Sequence, residues 1–319
     1  MRSNELDYDL PGDLIAQHPV EPRDASRLLV FDRATGAVRH RSFRDLPEEL
    51  GGHLVVVNDT RVVPARLLLR RETGGDVEVL LLERREDEVW EALARPSRRL
   101  RAGERLRPRA GGAPPAELLD DLGDGRWLVR LPGEPQGEVP LPPYIHEPQA
   151  DPERYQTVFA HDAGSAAAPT AGLHFSTALL DRVDHVAVTL HVGLDTFRPL
   201  TEETVEEHAI HGERYRVDPA TWARIDTAER VLAVGTTTTR VVESLARGWP
   251  LEGRTDLYIT PGFAFRRVDA LLTNFHLPRT TLLALVMAFA GVEETRRLYA
   301  VAVEERYRFY SFGDAMLVL

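Results

Sequence analysis

The sequence predicts an α/β protein carrying a β-rich insertion. Toward both ends of the chain, apolar runs of strand length alternate with helical stretches, the pattern of an α/β layer. In the middle, short β-like runs are cut by Gly, Pro and Asp turns, which argues a small barrel or a sandwich. With 319 residues, 43% of them apolar, the chain has length and core material for two domains. The expected division is 1–65 plus 150–319 for the α/β part and 66–149 for the insertion.

Each element has a local reason. The run 54–58 (LVVVN) is apolar without alternation, as a strand covered on both faces must be. The insertion offers 77–82 (VEVLLL), 89–94 (VWEALA) and 127–131 (WLVRL) as strands, and 186–190 (VAVTL), 231–234 (VLAV) and 257–260 (LYIT) follow it. Ser176 is a fitting N-cap for a helix at 177–183, and Asp218-Pro219 opens one running to about 230. Residues 241–246 continue as helix. The nine-residue apolar run 282–290 (LLALVMAFA) is far too short to span a bilayer and reads as a buried helix, while 292–307 is amphipathic.

Composition excludes several chemistries. There is no cysteine, and all 39 basic residues are arginine. Thiol nucleophiles, disulfides, Cys-ligated zinc and iron–sulfur clusters are therefore out, as are lysine Schiff bases and the P-loop lysine. The first ten residues lack a signal peptide's apolar stretch, so a cytoplasmic protein without a membrane partner is expected. A net charge of −11 argues against indiscriminate nucleic-acid coating. Yet 95–109 (RPSRRLRAGERLRPR) holds seven arginines against Glu104, either a solvated loop or a phosphate-contacting face.

Five segments place polar residues where a plain core would not need them. Asn58, Asp59, Thr60 and Arg61 sit at the end of the 54–58 strand, where open α/β sheets bind ligands, although a simple Asn/Asp turn competes. The small-residue run 164–176 (GSAAAPTAGLHFS) suits close backbone approach or tight packing and holds His174. In 191–198 (HVGLDTFR), Asp195 and Arg198 share a loop, as site residues or as an ion pair. In 206–213 (EEHAIHGE), His208 and His211 could pair on a metal, but no third ligand or HExxH spacing supports it, and proton transfer by a His211–Glu213 pair fits better. In 235–240 (GTTTTR), a strand, a glycine and hydroxyls at a helix start make an anion site or merely an N-cap. No GxGxxG is present.

Taken together, these segments resemble the S-adenosylmethionine:tRNA ribosyltransferase-isomerase family of queuosine biosynthesis. The matching stretches include 7–14 (DYDLPGDL), 15–29, 58–67 (NDTRVVPARL), 137–145 (GEVPLPPYI), 155–158, 164–175, 191–199, 269–291 and 307–317 (YRFYSFGDAML), essentially the whole chain. The resemblance implies a mixed-sheet α/β domain with an inserted small β-barrel. It implies an enzyme that transfers and isomerises the ribosyl group of S-adenosylmethionine onto 7-aminomethyl-7-deazaguanine at the tRNA wobble position, giving epoxyqueuosine and releasing adenine and methionine. A base is wanted for the C5′ hydrogens beside the sulfonium and an acid for the departing adenine.

On this footing His211, oriented by Glu213, is the expected proton acceptor, with His174 and Asp59 also at the donor. Asn58, Thr60, Arg61, Thr170, Asp195, Arg198, Gly235, Thr236, Thr237, Arg240, Asn274 and His276 are expected to bind substrate, and Arg95, Arg98, Arg99 and Arg101 to meet tRNA phosphates. Neither metal nor cofactor is expected, and the chain is expected to act as a monomer. Asp195 for a usual glycine, Gly212 for a serine and Thr238-Thr239 for Ser-Val depart from the family pattern. Alternatives are a paralogue using the donor on another acceptor, as methyltransferase or lyase, and a non-catalytic RNA-binding protein.

Overall fold

The structure is a computed structural model that describes every residue except 110–114, 148, 150, 194–199, 209 and 211. In chain order the first strands are β1 (Arg27–Phe31), β2 (Val38–Ser42), β3 (Leu54–Asn58) and β4 (Thr60–Val62). The insertion supplies β5 (Arg66–Arg71), β6 (Asp76–Glu86), β7 (Val89–Arg95), β8 (Arg105–Pro108), β9 (Ala116–Gly123) and β10 (Arg126–Arg130). The chain then returns through β11 (Asp162–Ser165), β12 (His185–Leu190), β13 (Glu213–Arg216), β14 (Val231–Val234), β15 (Glu252–Thr255), β16 (Ala270–Asn274) and β17 (Ala315–Val318). The helices are α1 (Leu46–Glu49), α2 (Thr177–Leu180), α3 (Pro219–Thr227), α4 (Thr236–Leu245), α5 (Thr281–Ala290) and α6 (Val292–Glu304).

Nine strands form one mixed sheet in the order β15-β13-β12-β3-β14-β16-β17-β1-β2, β5 to β10 close into a barrel, and β4 pairs with β11. The barrel decides the choice that the sequence left open between barrel and sandwich. At the sheet's centre β12, β3, β14 and β16 run parallel. Their continuous apolar character follows from cover on both faces. Leu54 and Val56 of β3 pack into one core cluster, Val55 and Val57 into the other. The barrel has its own core, with Trp90, Trp127, Val79 and Leu118 buried inside.

Where the chain leaves the barrel it passes the point where it went in. Gly137 and Glu138 exchange backbone hydrogen bonds with Pro64 and Arg66, and a Cβ on Gly137 would lie 2.4 Å from the Arg66 carbonyl oxygen. Only glycine fits that crossing.

Several elements differ from the sequence reading: the helix expected over 177–183 ends at Leu180 and the one expected over 292–307 ends at Glu304. Residues 257–260 are not a strand; the edge strand is β15, whose sequence EGRT has no apolar pattern because it pairs with β13 through backbone alone and keeps mainly polar side chains. The Asp218-capped helix ends at Thr227, not near 230, although the cap is as expected: Asp218 Oδ1 accepts from the backbone N–H of Ala220 and Thr221. No helix among the described residues is long and apolar enough to cross a membrane.

Candidate functional site

β3 lies between β12 and β14, so the chain runs to either side of it, and a crevice opens at the carboxyl ends of such strands. The barrel closes over that crevice. The resulting cleft has a volume of about 360 Å³, within the range of small-molecule sites. Its sheet wall includes His191 and Gly193 after β12, Thr236, Thr237 and Arg240 after β14, and Gly212 and Glu213. Its barrel wall includes Glu83, Arg85, Trp90, Glu91 and Arg126.

Of the residues expected at the site, Glu213, Thr236, Thr237 and Arg240 line this cleft. Glu213 and Arg240 are buried partners. Arg240 Nη1 donates to Glu213 Oε2, while its Nε and Nη2 donate to the carbonyls of Leu257 (2.9 Å) and Thr255 (2.8 Å). Glu213 Oε1 accepts the Gly193 N–H at 2.9 Å. Both carboxylate oxygens are thus committed to the cleft wall.

The 235–240 segment separates the anion-site and N-cap readings. No side chain caps α4, and Thr238 and Thr239 turn inward, donating to the carbonyls of Val234 (2.7 Å) and Gly235 (3.0 Å). The first-turn N–H groups are left without side-chain caps, beside Thr236 and Thr237 in the cleft wall, as an anion site requires. The Thr238-Thr239 departure from the family pattern is buried away from the cleft.

Asn58 supports this arrangement from behind. Its Nδ2 donates to the Leu190 carbonyl (3.0 Å) and toward Thr237 Oγ1 (3.4 Å), and its Oδ1 accepts from Leu190 and Thr60. Asp59 accepts a 2.7 Å hydrogen bond from Thr189. Burial, reinforced by Asp162, raises its carboxyl above the usual carboxylate range. Thr60 Oγ1 lies 2.9 Å from His191 Nδ1. Arg61 pairs with Glu153 on the surface. Gly235 adopts a φ of +89° at the α4 start, the left-handed region that suits glycine.

His174 is not in the cleft wall. It is buried on the opposite face, stacked on Phe43 and bonded to Ser26 Oγ (2.8 Å) and Asn274 Nδ2 (3.1 Å). Burial holds it down to about 3, neutral at physiological pH. The small residues before it serve packing: a Cβ at Gly172 would meet Phe159 at 2.6 Å. The structure therefore does not bring His174 together with Glu213 around one ligand. Thr170, Asn274 and His276 line a separate cavity of about 30 Å³, room for a water and no substrate. His276 is likewise held to about 3 by burial. His211, Asp195 and Arg198 lie outside the described residues.

Arg95, Arg98, Arg99 and Arg101 are exposed at the end of β7 and in the loop beyond it. None of their guanidinium groups has a carboxylate partner among the described residues, whereas those of Arg107 and Arg109 farther along pair with Glu72 and Asp76. From Glu91 in the cleft wall to Arg95 is four strand residues, about 13 Å.

The cleft wall also holds His191, Tyr258 and Trp90, for which the sequence offers no role, and His208, which it offers only as a possible metal ligand. His191 sits over Gly164, where a Cβ would lie 2.8–3.0 Å from its ring, and burial lowers its pKa. His208 also lines the cleft, its Nδ1 3.1 Å from Glu202 Oε1 but poorly aligned for a hydrogen bond. The Tyr258 hydroxyl and Trp90 Nε1, both from cleft-lining residues, are buried without partners among the described residues. No group of three or more metal-ligating side chains forms among the described residues.

Over residues 3–318 the chain matches the family described as queuosine biosynthesis protein. It is 55% identical over 331 residues to the S-adenosylmethionine:tRNA ribosyltransferase-isomerase of Rubrobacter xylanophilus, covering all of this chain and 98% of that one. It is 51% identical over 346 residues to the protein of the same name from Symbiobacterium thermophilum, covering both chains fully. Among solved structures, it is similar to the crystal structure of S-adenosylmethionine tRNA ribosyltransferase from Thermotoga maritima. That likeness has 40% identity and a TM-score of 0.56, and covers 99% of this chain and all of that one.

Proposed function

The chain belongs to the queuosine biosynthesis protein family, and on that premise we propose that it is a tRNA-modifying enzyme, an S-adenosylmethionine:tRNA ribosyltransferase-isomerase. It transfers the ribosyl group of S-adenosylmethionine to the aminomethyl group of 7-aminomethyl-7-deazaguanine at the wobble position and isomerises it, giving epoxyqueuosine, adenine and methionine. One observation carries this reading beyond the family match: the cleft is walled by the sheet's carboxyl edge on one side and by the barrel on the other, and the same barrel exposes, at the end of β7 and beyond it, arginines whose guanidinium groups have no carboxylate partner among the described residues. A small donor and a large polyanion can therefore meet at one place.

In this reading the donor occupies the cleft, its carboxylate facing the free N–H groups of α4 beside Thr236 and Thr237. His211, next to Gly212 and Glu213 of the wall, accepts a C5′ proton. Glu213 anchors that segment through Arg240 and Gly193, which replaces the orienting role first expected of it. Asp195 and Arg198, which follow Gly193 in the sequence, are assigned to substrate binding, and Arg95, Arg98, Arg99 and Arg101 to tRNA phosphates. The enzyme works in the cytoplasm as a monomer and needs no metal or cofactor, so turnover survives EDTA. The test is chromatography of donor incubated with tRNA bearing the deazaguanine precursor. Adenine and methionine released only when that tRNA is present support the proposal, and S-adenosylhomocysteine as the product overturns it.

A further inference from the structure

We propose that Arg254 is a positioning residue that ties the barrel to the sheet across the cleft and holds the 212–213 segment for turnover. β15 is the outermost strand on its side of the sheet, and Arg254 divides its guanidinium between two elements. Nη1 donates to Glu83 Oε1 of the barrel strand β6 at 2.5 Å, and Nη2 donates to the carbonyl of Gly212. Gly212 leaves room for this, since a Cβ there would already stand 3.4 Å from Arg254 Nε.

Glu83 is aimed and held from the barrel side. The β6–β7 register slips between Leu81 and Glu83, the kind of irregularity that redirects a side chain. Behind it, charges alternate along the wall. Glu83 lies 3.4 Å from Arg85, Arg85 donates to Glu91, and Glu91 also accepts from Arg126 at 3.0 Å. Among the described residues, Glu83–Arg254 is the one ion pair joining the barrel strands to the nine-stranded sheet. Its guanidinium is 46% exposed, so it adds little to folding stability. Its geometric effect is larger: releasing it frees the barrel wall from the sheet edge and the Gly212 carbonyl from its donor, beside Glu213.

The inference rests on the ribosyl-transfer reading only for its kinetic assay. In the full-length enzyme, Arg254→Gln and Glu83→Gln are each expected to lower kcat about 5- to 10-fold. The donor KM should stay within about twofold and the melting temperature within about 1 °C. The double variant should be no slower than the slower single one, because both break the same contact. A wild type without activity would reject the reading above and leave a second measurement in force. The chain has no cysteine, so spin labels on Leu122→Cys in the barrel and Asp226→Cys in the main domain report their separation selectively. A narrow distance distribution that broadens in Arg254→Gln supports the tie. Losses that multiply in the double variant, or a distance distribution identical to wild type, would overturn it.

Discussion

Replacing Arg240 by Met should destabilise the protein far more than an ordinary surface charge deletion. Arg240 and Glu213 have side chains only 9% and 8% exposed. Removing the arginine leaves a carboxylate buried against Gly193 N–H alone, and stranding one partner of a buried pair costs about 3–5 kcal/mol. Unfolding entropy near 2.1 cal/mol/K per residue makes each kcal/mol worth roughly 1.5 °C in a chain of this length, so the melting temperature should fall by about 4.5–7.5 °C. Glu213→Gln is milder, because the amide oxygen can still accept from Gly193 and Arg240 keeps two carbonyls. A loss of about 1–3 kcal/mol is expected there. The double variant Arg240→Met/Glu213→Gln should recover much of the Arg240→Met loss, since no buried charge remains. Calorimetry and denaturant titration of the four proteins decide it. A loss under about 1 kcal/mol for Arg240→Met, or strict additivity in the double variant, would refute the pairing argument.

Replacing Arg98, Arg99 and Arg101 by Ala should lower the slope of log affinity for tRNA against log salt by about 2–3, with donor affinity unchanged; filter binding from low to high salt measures it. His174 and His276 are both held to about 3, so the unfolded chain takes up protons below about pH 6.5 that the folded chain refuses. Folding stability should then fall with falling pH, by about 3 kcal/mol per pH unit between pH 6 and 4 for the two together, and His174→Gln should remove about half of that slope in urea titrations. Gly164→Ala should cost about 1–3 kcal/mol by driving a methyl into the His191 ring, whereas Gly12→Ala, with open space around it, should cost almost nothing; paired melting curves separate them.

The parts of the fold that are local were legible in the sequence. LVVVN at 54–58 declared a strand covered on both faces because consecutive valines enter opposite cores. LYIT at 257–260 misled for a physical reason: Ile259 is buried and the Leu257 carbonyl binds Arg240, so its apolar character serves loop packing and not a ladder. The placement of Thr236, Thr237 and Arg240 together in the cleft wall was readable because a strand end and a helix start are adjacent in sequence. His174, expected at the donor, lies off the cleft wall, and the sequence does not show this because small residues around a histidine look alike whether they admit a ligand or simply pack. Glu83, Arg85 and Glu91 carried no local signal, since they reach the cleft only through the docking of the barrel on the sheet, a contact between residues some 170 positions apart.

The central claim is ribosyl transfer to the wobble base, and mass spectrometry of the tRNA tests it most directly. After incubation with S-adenosylmethionine, tRNA bearing 7-aminomethyl-7-deazaguanine should gain the mass of the epoxycyclopentanediol at that nucleoside and nowhere else. A gain of one methyl group, or an unchanged nucleoside while the donor is consumed, would contradict the account.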